Sequence, residues 1–103
     1  MDCWTAPARY GPNINQPRDP RNGRYSELPG EDPYHAGQYA AAMLRGMQEE
    51  DANGHPKMIA LVKHFVAYSQ ETGRGYDTFN ISDFDLFDTY LPQFEASMTS
   101  LTR

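Results

Sequence analysis

Cysteine is nearly absent from this 103-residue chain: Cys3 stands alone. A single thiol excludes an internal disulfide framework and any Cys-rich metal site. Long apolar runs are missing too, and nothing approaches the roughly 18 residues that a membrane-spanning helix needs. The opening stretch, Met1 to Pro7, has neither a basic start nor an apolar core, so no signal peptide is expected there. The hydrophobic share, 39%, is low for a domain that closes its own core. Basic residues are outnumbered, 9 against 14 acidic, for a net charge of −5. That balance argues against a general nucleic-acid binder. There is no internal repeat and no low-complexity tract. The length allows one small domain and excludes a two-domain enzyme.

What the chain does have is unevenly spread. Six of the eight prolines fall within residues 5–34, so this stretch can be neither a long helix nor a central strand. It is expected to be an ordered loop, or a linker if the chain is disordered there, with Asn13-Ile14-Asn15 as the only short strand. Residues 1–30 carry a net +1 and residues 31–103 a net −6. The positive excess sits in one turn, Arg18-Asp19-Pro20-Arg21-Asn22-Gly23-Arg24.

Beyond the loop-rich 1–31 the elements are better marked. Asp32 followed by Pro33 is a helix start, a capping side chain and then a proline at the first helical position. Ala36, Tyr39, Ala40, Met43, Leu44 and Met47 recur at helical spacing, which predicts a helix over 32–50. Met58-Ile59-Ala60-Leu61-Val62 is apolar without alternation, which predicts a strand within 57–64 buried on both faces, as in a parallel sheet. Ser82 and Asp85 form a capping box that opens a helix over 82–101. Phe84, Phe87, Leu91, Phe94, Met98 and Leu101 give that helix one apolar stripe, and Pro92 should kink or split it. The order is loop, helix, strand, loop, helix. That alternation is an α/β signature.

Lys63-His64 directly follows the predicted strand. In parallel α/β folds ligands gather at the carboxyl ends of strands, so the pair stands where a site would be. The alternative is that Lys63 reaches solvent while His64 caps the strand. Arg18, Arg21 and Arg24 could present a guanidinium fork to a carboxylate or to vicinal hydroxyls. Internal pairing with Asp19, Glu27, Glu31 or Asp32, which would pin the loop, is favoured for at least two of the three. Glu31-Asp32 is read as a helix cap, and Asp83, Asp85 and Asp88 as solvated acids of a first helical turn. His35 and His55 have no second ligand at i+4, so neither a metal nor any cofactor is expected. Asn80-Ile81-Ser82 is a glycosylation triplet of the kind that arises by chance.

Taken together, Arg18-Asp19-Pro20-Arg21-Asn22-Gly23-Arg24, Glu27-Leu28-Pro29-Gly30-Glu31-Asp32-Pro33, Lys63-His64-Phe65 and Asp88-Thr89-Tyr90-Leu91-Pro92-Gln93-Phe94 resemble glycoside hydrolase family 3 in order and spacing. The β-xylosidase and β-glucosidase branch is the nearest in character. The resemblance implies a partial (β/α)8 TIM-barrel: about two βα units with a long Pro/Gly-rich loop, an internal piece of an N-terminal barrel domain. A whole barrel needs about 250 residues. Family members are retaining, exo-acting hydrolases that release a terminal β-linked sugar. By the same resemblance Arg24, Lys63 and His64 bind hydroxyls of the non-reducing sugar, which their N–H donors suit. The family usually has Trp where this chain has Asn22.

The two catalytic carboxylates of the family lie on later segments, so no catalytic residue is expected in this chain. Asp83 is rejected as the nucleophile because it opens a helix rather than ending a strand. The loop after Lys63-His64 contains no further histidine, which disfavours the amino-sugar branch. The implied partners are an oligosaccharide or β-glycoside substrate, the remainder of the barrel and a C-terminal sandwich domain, with no nucleic acid and no membrane. The implied parent protein is extracellular. A stand-alone, non-catalytic sugar-binding or regulatory module is the alternative.

Overall fold

The structure is a computed structural model that describes residues 7–101. Cys3 and the rest of the opening stretch lie outside the described residues. In order come strand β1 (Ala8–Asn13), single helical turns at Pro20–Asn22 and Tyr25–Glu27, helix α1 (Pro33–Met47) and strand β2 (Ile59–Lys63). A one-turn helix α2 (Asp83–Asp85), a wide π-type turn over Leu86–Tyr90 and helix α3 (Pro92–Thr99) follow. The strands pair in parallel, Ala8 opposite Ile59 and Asn13 opposite Lys63, with a bulge where Tyr10 and Gly11 both face Leu61. Two parallel strands joined through a helix make the α/β order expected from the sequence.

Local chemistry sets the helix starts. The Asp32 carboxylate accepts the Tyr34 N–H at 2.9 Å, and Pro33 occupies the first turn, where its missing donor costs nothing. Ser82 Oγ accepts the Asp85 N–H at 3.0 Å and donates to Asp85 Oδ2 at 2.8 Å, closing the capping box. Pro92 splits the last helix: α2 and its π-type turn end before it, and α3 begins on it.

Three expectations are corrected. The first strand is Ala8–Asn13 and shares only Asn13 with the Asn13-Ile14-Asn15 segment, because its register is set by pairing along β2. Helix α1 stops at Met47 rather than 50, because Glu49 and Glu50 turn back onto Pro56 and Lys57. Strand β2 is not buried on both faces. Ile59 is 45% and Leu61 38% exposed, while Ala60 and Val62 are half-buried. Among the described residues only one face has helices against it, so the apolar run behaves as an alternating strand.

The core sits between that covered face and the two long helices: Ile14, Ala40 and Phe94, with Val62 and Val66 packed on them. Helices α1 and α3 approach closely at Gly37, where a Cβ would lie 2.8 Å from the Ala96 Cβ. The C-terminal apolar stripe does not form one buried line. Phe94 is buried, but Phe84, Phe87 and Met98 are 75%, 68% and 61% exposed. The π-type turn changes the helical period between the first two aromatics and Phe94.

Candidate functional site

Beyond Asn13 the two strands stay in register: Ile14 N–H donates to the Lys63 carbonyl at 3.0 Å. The next residue, Asn15, clamps His64. Asn15 Oδ1 accepts the His64 N–H at 2.8 Å, and Asn15 Nδ2 donates to the His64 carbonyl at 2.8 Å. These two bonds fix which end of the amide is oxygen. The His64 Nδ1, 3.1 Å from the same Oδ1, is therefore the protonated nitrogen. That tautomer leaves Nε2 as an acceptor for an incoming hydroxyl. His64 thus does lock the strand end, and its ring remains available as well.

The arginine turn reaches the same place. Asp19 caps its first bend by accepting the Arg21 N–H at 2.8 Å, and Gly23 takes a left-handed φ of 88° that re-aims the chain. The Arg24 guanidinium then lies 5.8 Å from the Tyr68 ring centroid, and the His64 ring lies 5.0 Å from that ring. Arg24 and His64, from loops about 40 residues apart, meet on one tyrosine at the carboxyl end of the parallel pair. Glu27 holds the Arg24 fork in both arms, Nε to Oε1 and Nη2 to Oε2, each 2.6 Å. Glu71 Oε2 stands 3.8 Å from the remaining arm, Nη1.

The charges follow from this geometry. The hydrogen bond from Arg24 holds the Glu27 carboxyl down at about 2, with smaller help from Asn13 and Lys63. Burial, and then the charges of Arg24, Lys63 and Arg74, push the His64 imidazole below its ordinary value, with Glu27 opposing. Among the described residues Lys63 makes no salt bridge. The site therefore presents a free ammonium, a neutral imidazole and a guanidinium whose carboxylate partner keeps it in place.

The other two arginines of the turn go elsewhere. Arg21 pairs with Asp19 at 2.6 Å. Arg18 reaches Asp85 at 2.7 Å and faces the Tyr90 ring at 5.8 Å. Asp85 is thus paired and not merely solvated, a correction to its reading as a free helix-opening acid. Internal pairing does neutralise Arg21 and Arg24, and Arg24 keeps its place in the site because Glu27 sits behind it. Asp83 lies in the exposed first turn of α2.

Sequence reasoning did not single out Asn15, Tyr68 or Glu71. Asn15 carried a usable signal, a polar residue at the carboxyl end of the expected Asn13-Ile14-Asn15 strand, a position like the one that selected Lys63 and His64.

Residues 6–101 match the family described as Glycosyl hydrolase family 3 N terminal domain. A probable exo-1,4-beta-xylosidase, bxlB, of Aspergillus terreus is 39% identical over 100 residues, 93% of this chain and 12% of that protein. The structure is similar to beta-glucosidase 3B from Thermotoga neapolitana in complex with glycerol, with a TM-score of 0.82 at 32% identity, over 91% of this chain and 12% of that one. It is also similar to a GH3 exo-beta-xylosidase (XlnD) in complex with a xylobiose aziridine activity-based probe, with a TM-score of 0.78 at 30% identity, over 87% of this chain and 12% of that one. The chain spans about an eighth of the length of the curated xylosidase it matches. With a family match that runs through nearly all of its residues, the chain belongs to glycosyl hydrolase family 3, glycoside hydrolases whose N-terminal domain is a TIM-barrel-like α/β fold.

Proposed function

We propose that Arg24, Lys63 and His64 hold the terminal, non-reducing sugar of a β-xyloside or β-glucoside in an exo-acting, retaining β-glycosidase of which this chain is one part. The observation that carries the reading is the meeting of Arg24 and His64 on Tyr68, beside the unpaired Lys63, at the carboxyl end of the strands. Three donors of different reach suit vicinal hydroxyls, and the Nε2 acceptor of His64 suits a hydroxyl proton. Retaining hydrolysis needs two carboxyl groups about 5–5.5 Å apart, one a nucleophile and one an acid. Glu27 suits neither role. Both its oxygens are taken by Arg24, and at about 2 its carboxyl is ionised at any working pH. In this reading the catalytic pair comes from other parts of the barrel, and this chain supplies positioning.

The test uses the longer polypeptide that carries this chain, with nitrophenyl β-xyloside and β-glucoside. Lys63→Ala and Arg24→Ala should each lower kcat/KM at least a hundredfold. The 103-residue chain alone should show no turnover. Turnover by that chain, abolished by replacing one of its own acids, would overturn the assignment, as would wild-type kinetics in both variants.

A further inference from the structure

We propose that Asn53-Gly54, in the turn between α1 and β2, is a site of spontaneous covalent modification, where water converts the asparagine to aspartate or isoaspartate with loss of ammonia. The sequence holds two Asn-Gly steps, Asn22-Gly23 and Asn53-Gly54. Glycine has no side chain to shield its own nitrogen, so both steps are chemically open to this reaction. The fold separates them.

In the reaction the Gly54 nitrogen attacks Asn53 Cγ. An N–Cγ bond forms, the Cγ–Nδ2 bond breaks, and Nδ2 leaves as ammonia with the proton that the Gly54 nitrogen gives up. Water then opens the five-membered imide at either carbonyl, to aspartate or to isoaspartate. Nothing is oxidised or reduced. The step needs a side chain that can swing, an amide N–H that can be released, and water.

Asn53 meets all three needs. Asp51, Ala52, Asn53 and Gly54 are all exposed. The turn is built around Asp51, whose Oδ1 accepts the Asn53 and His55 N–H groups at 2.8 and 3.0 Å. The Asp51 carboxyl is held below its ordinary range by the His55 and Asn53 N–H groups first, and by the Asn53 side chain least, so that side chain is weakly tied. The Gly54 N–H donates to the Asp51 carbonyl at 3.0 Å. A bond of this kind in an exposed turn opens at low cost. The approach is clear as well: the nearest atom to a Cβ placed on Gly54 would be Glu50 Oε2, at 4.0 Å.

Asn22 meets none of them. It is 2% exposed. Its Oδ1 accepts the Arg24 N–H at 2.9 Å, its N–H donates to the Asp19 carbonyl at 3.0 Å, and its carbonyl accepts the Glu71 N–H at 2.9 Å. A Cβ on Gly23 would lie 3.2 Å from the Glu71 Cβ. The Asn22 side chain therefore cannot swing unless the arginine turn parts from the loop after β2. The reactive step falls before the amino end of β2, and the protected one supports Arg24.

The polypeptide carrying this chain, kept in mildly alkaline buffer both folded and unfolded in urea, tests this when its peptides are weighed by mass spectrometry. In the folded sample a gain of one mass unit should accumulate at Asn53 at least about tenfold faster than at Asn22, which reacts only after a larger opening. In urea both should gain it at comparable rates. Three results would each overturn the inference: Asn53 intact in the folded protein but modified in urea, Asn22 keeping pace with Asn53 in the folded protein, or no gain at Asn53 in either sample. Asn53→Gln, which must close a larger ring, should remove the gain from this turn, and a gain that persists in that peptide overturns the assignment to Asn53.

Discussion

The two sides of strand β2 are built on different principles. At its carboxyl end the chain is held by directional polar contacts: Asn15 on both backbone groups of His64, Glu27 on both arms of Arg24, Asn22 on the Arg24 N–H. Along its outer face the strand offers Ile59 and Leu61, and Phe65 just beyond it is 74% exposed. Hydrogen bonds are satisfied pair by pair and can be completed locally. Apolar surface is satisfied only by area, and two strands with three helices leave part of it bare. The polar end is therefore held in one arrangement while part of the apolar face stays bare among the described residues.

The comparison breaks most sharply at the core residue that serves the covered side. Phe94 is 7% exposed and packs on Ile14 and Ala40, with the Phe65 ring against it edge-on at 5.3 Å. Phe94→Ala should cost about 3–5 kcal/mol in urea unfolding. A cost under about 1 kcal/mol would mean that this core is not closed even on its covered side. Gly37→Ala comes next. The added methyl would meet the Ala96 Cβ at 2.8 Å, and neither atom is at the end of a flexible side chain. Spreading α1 from α3 should cost about 1–3 kcal/mol, and Gly37→Ala with Ala96→Gly should recover most of it.

Ser82→Ala tests a local device on the exposed side. It removes the acceptor of the Asp85 N–H, worth about 1 kcal/mol by ordinary capping energetics. Smaller still is Leu61→Thr, at 38% exposure. It should change stability by less than about 0.5 kcal/mol yet reduce the binding of a hydrophobic dye by the isolated chain. A large loss of stability there would show that the outer face is packed after all.

How much of this could be read beforehand follows the range of each interaction. Asp32-Pro33, the Ser82 and Asp85 box and the break at Pro92 were legible because each is a contact within four residues. Lys63 and His64 were legible by position, at the end of an apolar run. Asn15 holding His64 across 49 residues and Arg18 holding Asp85 across 67 were not. Nothing in either local sequence says which distant partner arrives. The outer exposure of β2 was hidden for a related reason. Met58-Ile59-Ala60-Leu61-Val62 is written for two covered faces, and only one has cover among the described residues.

The smallest expected effect lies at the polar end and is a matter of pH. His64 has a folded-state pKa below its ordinary 6.5, with burial as the main cause and Arg24, Lys63 and Arg74 adding repulsion against a second positive charge. Glu27 opposes them, and Asn15 holds the ring through Nδ1. Between the folded and unfolded values the unfolded chain binds more protons, so stability rises with pH across that window. It is complete above about pH 6.5 and falls as the solution is acidified through the lower folded value. Glu27 and Asp19, both held at about 2 by arginines, contribute in a separate window, from the ordinary carboxylate range down to about 2. His64→Gln keeps a polar group near Asn15 but cannot titrate. Its unfolding midpoint against pH should lose the slope just below 6.5 and keep the one below 4.5. If the upper slope survives in His64→Gln, the imidazole is not the group that senses pH, and the neutral acceptor at Nε2 loses its support.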